Sequence, residues 1–372
     1  MCTLLTDKPL SRISIPKEYC LDGSCFPWNM GLIRLTEQMS ISQLYSVLDN
    51  QYGTGGKAPL HIFLLFPKRE PEKLSLYASR MRVGIETDTL AEGLYNVRIT
   101  LRKRHASGYL ITRGNIWNLL IQPVESSASA QQVTATWLKN MYPVLSPAYV
   151  ESEQMLGVLD SFNQVEEEHE LQISDYFLRS REGSTSKTWP KGEPYVRRDL
   201  EERIGPDFLL DAISFSFKIG ETSFETRICR DGHLVLYEGG KTCFSDLQRL
   251  VIQPVSSMAA RNRTRFQDRG RKMIEGEAVV SPLKMDPGRR LGKRDLDNLR
   301  LRLCRNFSAA VVHGGNPWLL TSIIDRADGG YYDVYGYEDE ISIVPFSRSS
   351  PDSLARLYSL ILELFPLSKI QE

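Results

Sequence analysis

The sequence predicts an α+β protein made of three repeated units, each an antiparallel four-stranded sheet followed by one amphipathic helix, with an N-terminal α/β extension. Three observations predict this fold class. A motif built on Ile-Gln-Pro-Val occurs at Leu119–Ser127 (LLIQPVESS) and Leu250–Ser257 (LVIQPVSS), and a more divergent copy lies at Ile341–Ser350. β-like runs with alternating apolar residues precede each copy, and a segment of helical periodicity follows it. At 372 residues, the chain is also too long for one ordinary hydrophobic core.

The first and third copies align without a gap, from Gly108 to Val124 and from Gly330 to Phe346. Both begin with Gly-Tyr, have a second glycine six residues later, and reach the proline nine residues after that. Glycine suits tight turns, and proline ends a strand because it has no backbone N–H. We therefore expect two turns and one terminated strand in each copy.

Helices are expected after the prolines and in the N-terminal half. Ser129–Tyr142 and Pro351–Phe365 have apolar residues on one face, and a proline follows each segment directly. Outside the repeats, the sequence predicts a helix at Ser40–Tyr52, a strand at Pro59–Phe66 and a helix at Ala148–Phe162.

Repeats and polar segments together predict six parts of the chain. They are the N-terminal extension (1–76), the first unit (77–165), a polar linker (166–206), the second unit (207–275), a basic linker (276–293) and the third unit (294–372).

Composition narrows the class of protein. Apolar residues make up 41% and charged residues 25% of the chain, as in ordinary globular proteins. No run approaches the roughly 18 apolar residues that span a bilayer, and the first 25 residues lack the apolar core of a signal peptide. Six cysteines scattered over a long chain favour free thiols in a reducing compartment. We expect a cytoplasmic protein without a membrane partner.

Charge is unevenly distributed although the formal net charge is zero. Arg261–Arg305 contains fourteen basic and six acidic residues, whereas residues 306–372 contain four basic and nine acidic ones. Arg261, Arg265, Arg269 and Lys272 are expected on one face of the helix that closes the second unit. The candidate residues for binding nucleic acid or another anion are Arg102, Lys103, Arg104, Arg113, Arg261, Arg265, Arg269, Lys272, Arg289, Arg290, Lys293 and Arg294. Pairing of these cations with acidic residues of the same chain, or of a partner, is the competing interpretation.

Signatures of catalysis are weak. Carboxylates gathered around Mg²⁺ would suit a nuclease, and the third unit has Asp325, Asp328, Asp333, Glu338, Asp339 and Glu340. None of the five histidines is expected to have a second histidine, or a cysteine, at metal-ligand spacing, and Gly-x-Ser-x-Gly is absent. His313, before a Gly-Gly turn, is the histidine to test as an acid or base. The segment Tyr52–Pro59 resembles a phosphate-binding loop only in composition, since a helix is expected before it and a strand after it.

These observations favour a non-enzymatic binding or adaptor subunit of a larger assembly. Its basic face would bind an acidic partner, either nucleic acid or protein, and we expect no cofactor and no bound metal. The alternative is a metal-dependent nuclease or phosphohydrolase that uses the carboxylates of the third unit.

Overall fold

A computed structural model gives the mixed α+β fold. It describes residues 20–21, 24–25, 39–53, 58–68, 70–74, 84–101, 104–112, 114–122, 127–141, 144–165, 168–179, 184–190, 193–205, 208–268, 270–275, 277–314, 317–326, 329–346 and 349–371. All strand pairs with a resolved register are antiparallel, which confirms the predicted class. None of the described helices is long and apolar enough to cross a membrane.

Strands and helices occur in the following order. The strands are β1 (Cys20–Leu21), β2 (Ser24–Cys25), β3 (Leu60–Pro67), β4 (Gly84–Ala91), β5 (Leu94–Leu101), β6 (Arg104–Ile111), β7 (Trp117–Gln122), β8 (Leu145–Pro147), β9 (Glu170–Arg179), β10 (Ser184–Thr188), β11 (Leu209–Ile219), β12 (Thr222–Cys229), β13 (His233–Gly239), β14 (Gly270–Ile274), β15 (Glu277–Ser281), β16 (Leu283–Asp286), β17 (Ser308–His313), β18 (Trp318–Ile324), β19 (Tyr331–Tyr337), β20 (Glu340–Pro345) and β21 (Lys369–Ile370). The helices are α1 (Ile41–Tyr52), α2 (Ser127–Met141), α3 (Ser152–Asn163), α4 (Arg197–Ile204), α5 (Cys243–Leu247), α6 (Gln253–Asp268), α7 (Lys293–Asn306) and α8 (Pro351–Leu364).

The chain divides into two compact units. The first comprises Met1–Ser174, Pro190–Pro194 and Ile213–Ser257, and the second comprises Asp175–Trp189, Tyr195–Ala212 and Met258–Glu372. Both units have buried apolar residues, and the six-stranded sheet that contains β18, β19 and β20 lies in the second unit.

The sheet of the first unit is organised around β3. This sheet includes the consecutive strands β11-β12-β13-β3-β7-β6-β5-β4, and β8 also pairs with β3. The sequence of β3, LHIFLLFP, is almost wholly apolar, and its first seven residues are buried. A continuous apolar run of this kind is typical of a strand that is covered on both faces. Helix α2 covers one of these faces through Val133 and Trp137, which join Phe63 and Leu65 in one core.

The main sheet of the second unit has the order β17-β18-β19-β20-β16-β21. Along β18, β19 and β20, buried residues alternate with exposed or partly buried ones, as expected for a sheet that is covered on one side only. Helix α7 lies on the covered side, because a side chain at Gly336 would meet Leu296 at 3.0 Å. Helix α8 begins there as well, since the Tyr332 hydroxyl accepts a hydrogen bond from the Ser350 backbone N–H at 2.9 Å.

The prediction of a strand at the middle copy of the repeat is wrong. Leu250–Ser257 is helical, and the helical stretch runs from α5 through a π-helical turn at Gln248–Ile252 into α6. The Gln253 N–H donates to the Gln248 carbonyl, five residues back, so the turn is widened just before Pro254. Such a π turn tolerates a proline inside a helix, because the missing N–H falls where the regular ladder is already interrupted.

The three-unit repeat is therefore not confirmed. Four strands followed by a helix occur at β4–β7 with α2 and at β17–β20 with α8, but not around Pro254. Pro123 lies outside the described residues. In addition, β3 of the predicted extension pairs with both β7 and β13, so segments from three predicted parts share one sheet.

The matched glycines do not mark equivalent turns. Gly114 has a φ of +73° and lies in the turn between β6 and β7, but its counterpart Gly336 lies within β19. Gly108 lies within β6, where a Cβ would come 1.8 Å from the Leu120 carbonyl oxygen. The close approach of β7 requires glycine at position 108, and Gly336 packs against helix α7, so turn geometry explains neither strand position.

The two predicted linkers contain regular structure. The first, 166–206, includes β9, β10 and α4, and the second, 276–293, includes β15 and β16. Residues Asp175–Arg179 of β9 pair with Ser184–Thr188 of β10 in an antiparallel hairpin. These segments are polar in sequence and were therefore predicted as connections, although polar side chains are common on exposed hairpins.

Candidate functional site

The structure describes only some of the predicted basic residues. Arg102, Lys103, Arg113 and Arg269 lie outside the described residues, as do the side chains of Arg265 and Lys272. Helix α6 ends at Asp268, and Lys272 belongs to strand β14. The prediction that Lys272 lies on one helical face with Arg261 is therefore wrong. Arg104 is exposed at the start of β6, and its guanidinium donates to the Gln132 side chain of α2 at 2.8 Å.

Two cations of the predicted basic face form ion pairs inside the second unit. Arg289 lies 2.8 Å from Asp295, and Arg290 lies 2.6 Å from Glu338. The hydrogen bond to Glu338 raises the pKa of Arg290, so its charge is permanent and locally balanced. Three further described cations of this set are exposed and make no ion pair within the described residues; they are Arg261, Lys293 and Arg294.

The acidic residues of the third predicted unit are dispersed. Asp325 is buried at the end of β18, where it accepts from Arg356 Nε at 2.9 Å. Asp333 accepts from the Ser322 hydroxyl at 2.6 Å, on the opposite side of the sheet from the helices. Glu338 and Glu340 lie at the other end of β19, paired with Arg290 and Lys284, and Asp328 lies outside the described residues. Among the described carboxylates of this set, no three come together at metal-binding distance.

The side of the second unit's sheet that faces away from α7 and α8 carries many aromatic residues. We call it the open face and define it by outward-pointing residues of three strands: Trp318, Leu320, Ser322, Ile324, Tyr331, Asp333, Tyr335, Tyr337, Glu340, Ser342 and Val344. Cross-strand pairing places Trp318 opposite Tyr337, Leu320 opposite Tyr335 and Ile324 opposite Tyr331. Directly paired residues share a face of the sheet, so these side chains form continuous rows.

Several of these apolar side chains are strongly exposed. The exposed fractions are 38% for Trp318, 47% for Ile324 and 49% for Tyr337. The His313 ring stacks on Trp318 with centroids 3.7 Å apart, which extends the aromatic row to the edge strand β17. His313 is therefore a neighbour of an exposed aromatic surface; its role as an acid or base remains a prediction.

Charges on the open face and its rim are more acidic than basic. Lys284 and Arg290 are paired with Glu340 and Glu338, and Arg326 donates to the Ser308 hydroxyl. The described carboxylates of this surface outnumber its described cations by five to four; they are Asp286, Asp333, Glu338, Asp339 and Glu340, against Lys284, Arg290, Arg326 and Lys369.

A buried pair of histidines lies in the sheet of the first unit. His61 Nδ1 of β3 is 3.0 Å from His233 Nε2 of β13, and the Phe63 ring stacks on His233 at 4.4 Å. Burial and, second to it, the proximity of His233 together lower the pKa of His61 to about 3. Burial and the nearby Arg227 lower the pKa of His233 to about 4. Both imidazoles are thus neutral at pH 7.

Three potential metal ligands meet beside this pair. Cys229, Asp231 and His233, which we call the hairpin cluster, have donor atoms that all lie within 4.8 Å of one another. Cys229 and His233 flank the tight loop between β12 and β13, and Asp231 lies in it, next to Gly232 with a φ of +72°. Cys229 is a thiol and is not part of a disulfide.

The expectation that no histidine has a cysteine at metal-ligand spacing is therefore wrong. Cys229 precedes His233 by four residues, and the Arg230-Asp231-Gly232 turn between them folds the two residues together. A three-residue hairpin loop brings its flanking residues opposite each other, so this local signal could have been found. The contribution of His61, which lies 172 residues away, had no such signal.

Two comparisons with known proteins find no relative of this chain. A scan against protein-family models finds no match, and no curated protein matches the chain. The functional interpretation therefore depends on the geometry of the two sheets.

Proposed function

We propose that the protein is a non-enzymatic binding or adaptor subunit whose open face docks a protein segment that combines apolar and basic side chains. One observation carries the proposal: Trp318, Ile324 and Tyr337 are exposed in adjacent rows of a sheet whose other face is covered by helices. The binding class is the one that the sequence favours, but the contact surface moves from the basic residues to the open face.

Exposed aromatic rows are unfavourable unless another surface covers them. Monomeric proteins rarely expose contiguous apolar patches of more than a few hundred Å², and larger patches usually mark interaction sites. Trp and Tyr are also the residues that most often dominate the binding energy of protein interfaces. Trp318 and Tyr337 are paired across β18 and β19, so one partner side chain can contact both rings.

Charge favours a protein partner over nucleic acid. A nucleic acid is attracted mainly through its phosphates, which need Lys or Arg side chains that can exchange counterions. On the open face, Asp333 and Glu340 project among the aromatic rings, and Lys284 is already paired with Glu340. Phosphates would therefore meet the Asp333 carboxylate at the centre of this surface, whereas a Lys or Arg of a protein segment would find a partner there.

The test uses purified full-length chain and a displayed library of random peptides. Enriched peptides are synthesised, and their affinities are measured by fluorescence anisotropy for the wild type, Trp318→Ala and Leu301→Ala. Leu301 is the matched control, because it is an equally exposed apolar residue on α7, on the covered side of the sheet. We expect enriched peptides with aromatic or aliphatic residues beside Lys or Arg, and roughly 30-fold weaker binding to Trp318→Ala, as for a central interface residue.

Other outcomes would overturn the proposal. Peptides that bind Trp318→Ala as tightly as the wild type would place the contact elsewhere. Salt-dependent binding of single-stranded DNA or RNA that is lost in Trp318→Ala would make nucleic acid the ligand of this face. A concentration-dependent dimer in sedimentation, abolished by Trp318→Ala but not by Leu301→Ala, would make a second copy of the chain the occupant.

A further inference from the structure

We propose that Cys229, Asp231 and His233 bind one Zn²⁺ ion, with His61 as the residue that orients His233. The inference concerns the first unit and stands independently of the docking proposal. It starts from the hairpin cluster, whose sulfur, oxygen and nitrogen donors already lie within 4.8 Å of one another.

The hairpin places the ligands on one side of the sheet. Ile228 pairs with Leu234 across β12 and β13, so the next residues outward, Cys229 and His233, are opposite each other. Opposite residues in an antiparallel pair point to the same face. Asp231 lies at the tip of the loop between them, and its Oδ1 accepts a hydrogen bond from the His233 backbone N–H at 3.3 Å.

His233 is held in a ligand orientation by two neighbours. Its Nε2 is 3.0 Å from His61 Nδ1, and its ring stacks on Phe63 with an interplanar angle of 9°. Metal-binding histidines typically donate their second ring N–H to an acceptor, which selects the tautomer and fixes the ring. The proposed site requires the tautomer in which the Nε2–H of His233 donates to His61 Nδ1 and Nδ1 of His233 carries the lone pair for the metal.

The loop itself is tightly anchored. The Gly232 carbonyl accepts from the Leu64 N–H at 3.0 Å, and the Arg230 carbonyl accepts from the Val150 N–H at 2.8 Å. A side chain at Gly232 would come 2.7 Å from the Ala148 carbonyl oxygen, so the loop is packed against its neighbours. Ligands carried by a rigid loop require little ordering on binding, which favours affinity.

The donor set selects the kind of ion. Thiolate, imidazole and carboxylate are the three ligand types that proteins use for Zn²⁺, whereas Mg²⁺ and Ca²⁺ prefer oxygen alone. Zn–ligand bonds of about 2.0 to 2.3 Å place tetrahedral ligand atoms roughly 3.5 Å apart, so closure requires side-chain shifts of about 1 Å. The Cys229 thiol loses its proton to solvent on binding, and the two anionic ligands then balance the charge of the ion. Three protein ligands leave a fourth position for water or another ligand.

Co²⁺ provides the spectroscopic test, since it occupies zinc sites and gives a thiolate-to-metal charge-transfer band. Full-length wild type is titrated with Co²⁺ and then with Zn²⁺, next to Cys229→Ser, Asp231→Asn and the control Cys304→Ser, which removes an exposed thiol in the second unit. A Cys20→Ser/Cys25→Ser double variant tests the one close cysteine pair of the N-terminal segment. We expect one Co²⁺ per chain, displacement by Zn²⁺, loss of the band in Cys229→Ser, weaker binding in Asp231→Asn, and wild-type behaviour of both controls.

His61 is tested as a positioning residue. His61→Leu removes the acceptor for His233 and is expected to weaken metal affinity about 10- to 100-fold while retaining the charge-transfer band. His61→Gln keeps an acceptor oxygen and should restore most of the affinity, which a purely structural role of His61 would not predict.

Three results would overturn the metal site. They are a wild type without a charge-transfer band, a band that survives unchanged in Cys229→Ser, and a band that is lost only in the Cys20/Cys25 double variant. Circular dichroism of each variant separates loss of ligands from loss of fold. Cys229 and Asp231 are suited to this comparison because they are less buried than His233.

Discussion

The central strands of the two sheets show opposite patterns of burial. In β3 of the first unit, seven consecutive residues are buried, so both faces of the strand belong to the interior. In β19 of the second unit, buried Tyr332 and Val334 alternate with partly or strongly exposed Tyr331 and Tyr335. Strands covered on both sides contribute stability and cannot meet a partner, whereas a strand covered on one side keeps a surface for binding.

The chemistry of the two strands follows this difference. Apart from His61, β3 has only apolar side chains, and this one polar residue contacts His233 of the neighbouring strand β13. The exposed side of β19 carries tyrosines and Asp333, which tolerate water and also bind proteins. Substitutions should therefore affect folding in the first sheet and binding in the second.

The largest expected effect is a core truncation in β3. Leu64→Ala removes a fully buried side chain and should lower the free energy of unfolding by about 2 to 5 kcal/mol. The comparison variant, Ile324→Ala on the open face, should change it by about 0.5 kcal/mol or less. Urea unfolding followed by circular dichroism measures both values. Equal effects of the two variants would contradict the distinction between the sheets.

A somewhat smaller loss is expected from the buried ion pair of the second unit. Asp325→Ala leaves Arg356 without its carboxylate and should destabilise the chain by about 2 to 3 kcal/mol, below a fully buried pair because Arg356 remains one-third exposed. Asp333→Ala removes a hydrogen bond to Ser322 on the open face and should cost about 1 kcal/mol. Urea midpoints rank the two. An Mg²⁺-dependent nuclease activity that disappears in both variants, without loss of stability, would instead restore the carboxylate alternative.

Acid should weaken the first unit through its histidine pair. The unfolded chain protonates these residues below about pH 6.5, whereas the folded pKa values are about 3 for His61 and about 4 for His233. The unfolded state thus binds more protons as the pH falls from 6.5 towards 4, and the free energy of unfolding decreases over that window. We expect a loss of about 2 kcal/mol per histidine between pH 7 and pH 5 in chelator-treated protein. In His61→Leu the dependence should be about half as steep; an unchanged slope would argue against the pair.

The smallest expected effect is at an exposed ion pair. Arg290 and Glu338 are in contact, but both are open to solvent, so screening leaves little net stabilisation. Arg290→Ala should leave the urea midpoint unchanged within error and should not weaken peptide binding to the open face. A clear loss of affinity in this variant would return the basic residues to the centre of the interaction.

Elements with local signals could be predicted from the sequence almost to the residue. Helix α1 was expected at Ser40–Tyr52 and occurs at Ile41–Tyr52, where Ser40 caps the helix by accepting from the Gln43 N–H. Helix α8 was expected at Pro351–Phe365 and occurs at Pro351–Leu364. The signals are a capping residue, a proline at the first turn and a single apolar face. Each depends only on neighbouring residues, so it can be recognised in the sequence without a tertiary structure.

The repeated Ile-Gln-Pro-Val motif led to a wrong prediction at its middle copy, where the flanking residues differ. Ile121 and Gln122 end strand β7 in the first copy, whereas Ile252 and Gln253 of the middle copy continue an amphipathic helix. Phe244, Leu247, Val251 and Val255 recur at helical spacing and are buried, so the helix was readable in the residues before the motif. Similarity of a short motif outweighed this periodicity in the prediction of a strand.

Taken by itself, the amino-acid order determined the α+β class, the helices with caps and single apolar faces, and the hairpin that brings Cys229 next to His233. Only the tertiary structure decided that β3 lies between β7 and β13, that Asp49 of α1 caps the start of α5 by accepting from the Phe244 N–H, and that His61 meets His233. Contacts between neighbours in the chain follow from local propensity and spacing. Pairings across well over a hundred residues depend on which apolar faces the whole chain can bury together, and that choice is made by packing.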